Sequence, residues 1–221
     1  MLAKRRRADG LQTYDLILRE TADLASVEGL DGLTIGSLAE RLSLSKSGLF
    51  AHFGSKEELQ LATIEAARQR YVTVVLEPVF KVPRGIARLR ALCDYVLDYI
   101  AKPEFPGGCF FCVVAAEFHA RPGAVRDAIT TNKIYKRELL AKLAAEAQTL
   151  GELSPGIDTE QLAFELETVI DVPTWSVATA NKERDLTFAH QAVSNILARA
   201  LPVSKLRPTK LPAAKAAPRR K

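Results

Sequence analysis

Cysteine, histidine and methionine are scarce in this 221-residue chain: three Cys, three His and one Met. So few cysteines, in odd number, cannot close a disulfide framework, which points to a reducing cytoplasm. With only His52, His119 and His190 beside them, soft ligands are too few for a rich metal site, and no metal is expected. No apolar run reaches about 18 residues, so neither a membrane-spanning helix nor a membrane partner is expected. The opening MLAKRRRADG is charged with no apolar stretch behind it, unlike a secretory signal. G-x-S-x-G, P-loop, G-x-G-x-x-G and H-E-x-x-H patterns are all missing, and Gly107-Gly108 lacks the Lys-Ser/Thr of a phosphate loop. The expectation is a protein without catalytic residues or a cofactor, not an enzyme.

What remains is a globular composition, 48% hydrophobic and 26% charged with mean hydropathy near zero. The net charge of +5 is unevenly placed. Of the 31 Lys and Arg, seven lie in residues 202–221, where there is no acid; the remaining 24 face 26 acids. The body is mildly acidic and its ends are basic. Residues 1–10 read as a basic N-terminal arm carrying Lys4, Arg5, Arg6 and Arg7. Residues 202–221 read as a basic disordered tail, rich in Pro and Ala and without aromatics. Such ends suit nucleic acid or simply solvate the chain.

Between them the punctuation is helical. Gln12–Val27 carries Leu16, Ile17, Ala22 and Leu24 broadly on one face, and Gly29 suits a left-handed C-cap. Thr34 is placed to cap a short helix over 35–42, and Ser45 to cap another over 46–52. Ser55 with Glu58 three residues on forms a capping-box pattern, opening a long helix through the 60s towards Leu76. Prolines punctuate the remainder, which reads as helices over 86–100, 110–119, 125–150, 159–180 and 186–201. VTVVL at 72–76 has strand propensity but no strand neighbour, so helix is expected there. The fold class is all-α: a small unit over 11–64, joined by a long helix to a body over 65–201.

The informative segment is 33–59, LTIGSLAERLSLSKSGLFAHFGSKEEL. Leu38, Ala39, Leu42, Leu44, Leu49 and Phe53 are spaced so that two short helices pack steeply, with Ala39 allowing close approach. That is helix-turn-helix geometry, whose second helix enters a DNA major groove. Its projecting face, Lys46, Ser47, Gly48 and Ala51, is small or basic.

These residues, from the helix ending at Gly29 through Leu38-Ala39-Glu40-Arg41-Leu42 to Ser45–Phe53 and Ser55-Lys56-Glu57-Glu58-Leu59, resemble the DNA-binding domain of TetR-type transcriptional regulators. The resemblance covers roughly residues 11–64. It implies a homodimer on a palindromic or near-palindromic double-stranded DNA operator, acting in the cytoplasm at the nucleoid. It places Lys46, Ser47 and Gly48 at base edges, and Thr34, His52 and Lys56 at phosphates. Phe50 stands where the family usually has a phosphate-binding Tyr, and Gly36 where some members carry a base-reading Arg. The tyrosine hydroxyl is missing at Phe50, which stays among the DNA-binding candidates, and the arginine readout is missing at Gly36, which shifts specificity towards DNA shape. Arg5, Arg6 and Arg7 are placed to reach the minor groove or nearby phosphates.

The resemblance also implies a variable C-terminal domain that binds an inducer and forms the dimer. Tyr95, Tyr99, Cys109, Phe110, Phe118 and Trp175, with Phe111 and His119, form a candidate lining for a mostly apolar small molecule. Cys109 follows two glycines at a helix start, where a thiol is more acidic and reactive. A thiol-reactive inducer is the companion reading, while Cys93 and Cys112 read as core. Leu162, Leu166, Val169 and Ile170, then Val193, Ile196 and Leu197, are expected at an antiparallel four-helix dimer contact. An α-helical enzyme and an architectural nucleoid protein are the competing classes; activation remains open beside repression.

Overall fold

A computed structural model describes residues 2–176 and 181–202, with the side chains of 2–9 and 11 left aside. Every regular element among the described residues is helical. The expected tail lies almost wholly outside them, as do residues 177–180.

The first unit is α1 (Leu2–Glu28), α2 (Ile35–Arg41), α3 (Lys46–His52) and the head of α4 (Lys56–Tyr71). Its short helices are set by their ends. Thr34 Oγ1 accepts from Ser37 N–H at 3.0 Å, and Ser37 Oγ accepts from Thr34 N–H at 3.2 Å. Ser45 Oγ accepts from Gly48 N–H, and Ser55 Oγ from Glu58 N–H. The expected box at Ser55 differs in one arm, because Glu58 reaches back to Gly54 N–H at 2.9 Å rather than to Ser55. Gly29 closes α1 at φ +82°, as its position suggests. Basic residues 4–7 are the opening turns of α1, which continues through Gly10. One interior Gly costs a helix only about 1 kcal/mol, and the Lys/Arg run around it favours helix.

Leu38, Ala39, Leu49 and Phe53 are buried together beneath α1, with Ile17, Ala22 and Ala25. Ser43, at φ +54°, makes the sharp turn between α2 and α3, and Leu44 N–H donates to Ala39 O at 2.8 Å across it.

The body comprises α5 (Glu77–Lys81), α6 (Ile86–Ala101), α7 (Phe110–Phe118), α8 (Ala124–Thr149), α9 (Thr159–Trp175) and α10 (Lys182–Arg199). Between α4 and α5 the chain stays helical, as expected, but 72–76 winds as a π segment. Three β-branched valines and a Thr crowd this turn. Pro78 just beyond lacks an N–H and would press on the carbonyl four residues back, so the wider turn relieves both. The apolar stripes of α6, α8, α9 and α10 meet in one core with Leu89, Leu97, Leu140 and Leu166.

That core absorbs residues expected at a dimer contact. Leu162, Leu166, Ile170, Val193, Ile196 and Leu197 are buried within the protomer, and Val169 is half-buried against them. The reason is packing of α9 on both α8 and α10: the apolar stripe satisfies its own chain first. The outward face of α9 is Phe164, Thr168, Val172 and Trp175, with Phe188 of α10 also exposed.

Candidate nucleic-acid interface and ligand cavity

The exposed side of α2 and α3 carries most of the sequence candidates. Thr34, Lys46, Ser47 and Phe50 are exposed; Gly48 and His52 are half-buried. Thr34 and Ser45 spend their hydroxyls on capping. Ser47 Oγ lies 3.2 Å from Ser45 Oγ. Gly36 has a use that the sequence conceals. A Cβ there would lie 3.3 Å from Lys46 Cε, so the bare backbone of α2 leaves a path for the lysine stem. Phe50 is 52% exposed, a large ring projecting from α3. His52 packs near Tyr14 of α1, with ring centroids 6.2 Å apart, and Tyr14 stacks on Phe53 at 4.9 Å.

Lys56 differs from expectation. Its ammonium is held by Asp31, through the carbonyl and through Oδ1 at 3.0 Å. Asp31 also pairs with Arg121 from the body. Hydrogen bonds from Lys56 and then Arg121 hold the Asp31 carboxyl below its ordinary range.

This cluster is one part of a seam that sequence reasoning misses. Glu117 of α7 accepts from Leu30 N–H at 2.7 Å and Asp31 N–H at 3.0 Å, gripping the backbone just past α1. Gly29 makes room for it, since a Cβ there would lie 2.9 Å from Glu117 Oε1. Gly107 N–H donates to Ser26 Oγ at 2.9 Å, and a Cβ on Gly107 would overlap the Ser26 carbonyl. Arg70 joins Asp23 of α1 at 2.7 Å and the Glu104 carbonyl at 2.7 Å, with its guanidinium 4.1 Å over Phe105. The partners are 34 to 87 residues apart in sequence, so no local pattern announces them.

Behind the seam lies a cavity of about 710 Å³ bounded by α4, the π segment, α6, α7, α8 and α9. Of the expected lining, Tyr99, Cys109 and Trp175 border it, as does Phe111. Tyr95, Phe110, Phe118 and His119 do not. Phe110 and Phe118 point into the closed core, and Tyr95 faces solvent on the other side of α6. Leu61 and Ile64 of α4 border the cavity too, so that helix serves both units.

The lining is mostly apolar, and among the described residues all of its ions but the exposed Lys133 are matched. Lys136 pairs with Asp171, and Arg68 with Glu65 at 2.6 Å. Two phenols are not matched: Tyr71 and Tyr99 meet edge to face at 5.4 Å, and neither buried hydroxyl has a hydrogen-bond partner among the described residues. Cys112 is not core as expected but half-buried on the cavity wall beside Cys109. Its S–H donates to the Cys109 sulfur, which also accepts from the N–H groups of Cys112 and Phe111 at the start of α7. These outweigh burial and bring the Cys109 thiol down to about 7. The same pairing pushes Cys112 up, with burial adding to it. Cys93 is fully buried, as expected, and burial lifts it to about 12.

Comparison with known proteins agrees with both halves of this architecture. A family profile described as "Bacterial regulatory proteins, tetR family" matches residues 17–63. A second, "Tetracyclin repressor-like, C-terminal domain", matches residues 85–193. The HTH-type transcriptional repressor ComR of Escherichia coli (strain K12) is 21% identical over 159 residues, covering 71% of this chain and 75% of that protein. A TetR transcriptional regulator from Chloroflexus aurantiacus superposes with a TM-score of 0.77 at 22% identity, over 88% of this chain and 98% of that one. The structure of AibR in complex with isovaleryl coenzyme A and operator DNA gives 0.63 at 21% identity, over 86% and 98%. At such identities the structures speak for a common fold. With the helix-turn-helix unit and the cavity-bearing helical body each matched by a profile, the chain belongs to the TetR family of bacterial transcriptional regulators.

Proposed function

We propose that this regulator is a homodimeric repressor, released from a palindromic or near-palindromic operator by a small, mostly apolar or thiol-reactive inducer. It acts in the cytoplasm at the nucleoid and has no catalytic role. One observation carries the reading. Helix α7 borders the cavity with Phe111, Cys112, Ala115 and Ala116, while Glu117 on the same helix grips Leu30 and Asp31. A ligand that moves α7 therefore pulls on the end of α1 and on the Asp31–Lys56 pair below it. Binding shifts the population towards a dimer whose recognition helices no longer match half-sites one DNA turn apart.

Lys46, Ser47 and Gly48 read base edges, and Thr34, His52 and Lys56 approach phosphates. Lys56 does so by exchanging its Asp31 partner for the DNA. Phe50 offers an apolar ring to the groove wall or a thymine methyl. Arg5, Arg6 and Arg7 add sequence-independent attraction from the first turns of α1. The dimer forms through the outward faces of α9 and α10, where Phe164, Val172, Trp175 and Phe188 are exposed. In AibR the ligand is isovaleryl coenzyme A; here four of the five lining ions pair with one another, which favours an uncharged molecule.

The test is selection of genomic DNA fragments by purified protein at physiological salt, followed by sequencing of what is retained. An enriched short palindrome is expected. Retention of all fragments alike, lost as salt rises, would overturn specific regulation in favour of an architectural role.

A further inference from the structure

We propose that the cavity takes a neutral, mostly apolar α,β-unsaturated carbonyl compound. Its oxygen accepts hydrogen bonds from Tyr71 and Tyr99, and its β carbon is attacked by Cys109. The inference rests on the inducer reading above and narrows it to one chemical class.

Three independent features converge on that class. The first is charge. Lys136 and Arg68 in the lining already hold Asp171 and Glu65, and the remaining lining cation, Lys133, is exposed, so a charged group deep in the cavity would have to break an ion pair or be buried unpaired. The second is the pair of phenols. A buried hydroxyl without a partner costs about 1–3 kcal/mol. Two such hydroxyls, on residues of α4 and α6 that border one cavity, call for an acceptor between them, and a carbonyl oxygen has two lone pairs to offer. The third is the thiol. Cys109 borders the same cavity from the start of α7, with Cys112 hydrogen-bonded to it. Its acidity leaves much of it as thiolate near neutral pH, the form that attacks carbon. A peroxide would use the thiols but neither the phenols nor a cavity of about 710 Å³.

The chemistry closes without an outside reagent. The Cys109 sulfur forms one S–C bond at the β carbon, and the C=C π pair moves through the conjugated system onto the carbonyl oxygen. The enolate charge develops where the Tyr71 and Tyr99 hydroxyls donate, so both bonds strengthen as the reaction proceeds. The proton lost by the thiol returns at the α carbon, leaving a thioether and a saturated ketone. Nothing is oxidised or reduced overall, and Cys112 keeps its own proton.

The experiment uses the full chain with (E)-non-3-en-2-one and its saturated counterpart nonan-2-one, read by intact mass and peptide mapping. One adduct, on Cys109, is expected from the enone and none from the ketone. In Tyr71→Phe/Tyr99→Phe, enone addition should slow by about tenfold or more. Alkylation of Cys109 by iodoacetamide, which builds no enolate, should stay within about twofold. Tyr99→Phe alone provides the same comparison if the double variant does not fold. No adduct, an adduct on Cys112 or Cys93 instead, or equal slowing of both reagents would overturn the proposal. Operator binding is measured separately on untreated and modified protein. An adduct that leaves operator binding intact overturns the inducer reading while supporting the cavity chemistry. Release without an adduct overturns the chemistry and supports the inducer reading.

Discussion

The helix-turn-helix unit and the cavity-bearing body obey different rules. In the first, almost every structural decision is local: Thr34, Ser45 and Ser55 each satisfy an N–H group three residues on. In the second, the decisive contacts join distant positions, as in Glu117 to Leu30 or Tyr71 to Tyr99. The helix starts of the first unit are satisfied within it, while Leu30 and Asp31 lean on Glu117 of the body. In the body, two buried hydroxyls have no hydrogen-bond partner among the described residues. On the proposed reading, recognition of DNA is prepared by local order and that of a small molecule by an unfinished hydrogen-bond network.

The sharpest way to break this contrast is at the seam between the two regions. Gly107→Ala places a methyl group against the Ser26 carbonyl and should destabilise the protein by about 1–3 kcal/mol, read by urea unfolding. No loss would mean that the 105–109 loop shifts freely against α1. Glu117→Ala comes next. It strands the Leu30 and Asp31 N–H groups and should cost about 2 kcal/mol. It should also weaken the coupling between ligand and operator, measured as the ratio of operator affinities with and without inducer. An unchanged ratio would show that α7 does not carry the signal.

Within the local region, Thr34→Ala should cost about 1 kcal/mol and leave thiol reactivity in the cavity unchanged. A change in Cys109 labelling would show that the regions are less separate than their contacts suggest. Conversely, Cys109 alkylation should be half-maximal in rate near pH 7, rising with pH as thiolate forms. The hydrogen bond from Cys112 sets that midpoint, against burial and with help from Lys136. In Cys112→Ala the midpoint should move upward. The smallest effect is expected from Lys56→Gln, whose exposed pair with Asp31 contributes about 0–1 kcal/mol. Its weight should appear instead in the salt dependence of DNA binding.

The same contrast explains what could be read from the residues alone. Helix caps, the Gly29 terminus, the Ser45 start and the apolar periods of α6 to α10 are written within a few neighbouring positions. The assignment of Lys46, Ser47 and Ala51 to one exposed face follows from that spacing, whereas Phe50 joins it only through the family resemblance. The role of Gly36 as a path for Lys46 does not, because it depends on how two helices approach. The stripes of α9 and α10 show amphipathicity but not which body they face. Leu162, Leu166 and Val193 turn inward, leaving Phe164 and Val172 outside. Tyr71 carries no sequence signal at all; its importance comes from Tyr99, 28 positions away, and from a hydroxyl without a partner.

The π segment at 72–76 has a consequence for how such a protein can change over generations. Each residue of an α-helix turns the chain by about 100°. A π turn holds one residue more than an α turn. Deleting one residue between Val72 and Leu76 would let the wide turn close into an ordinary one, with the helices on either side keeping their facing. The contacts of Glu117, Gly107 and Arg70 with the first unit could then stay in place. The VTVVL stretch is therefore a place where the chain can lose a codon and keep its DNA-binding unit aimed as it is.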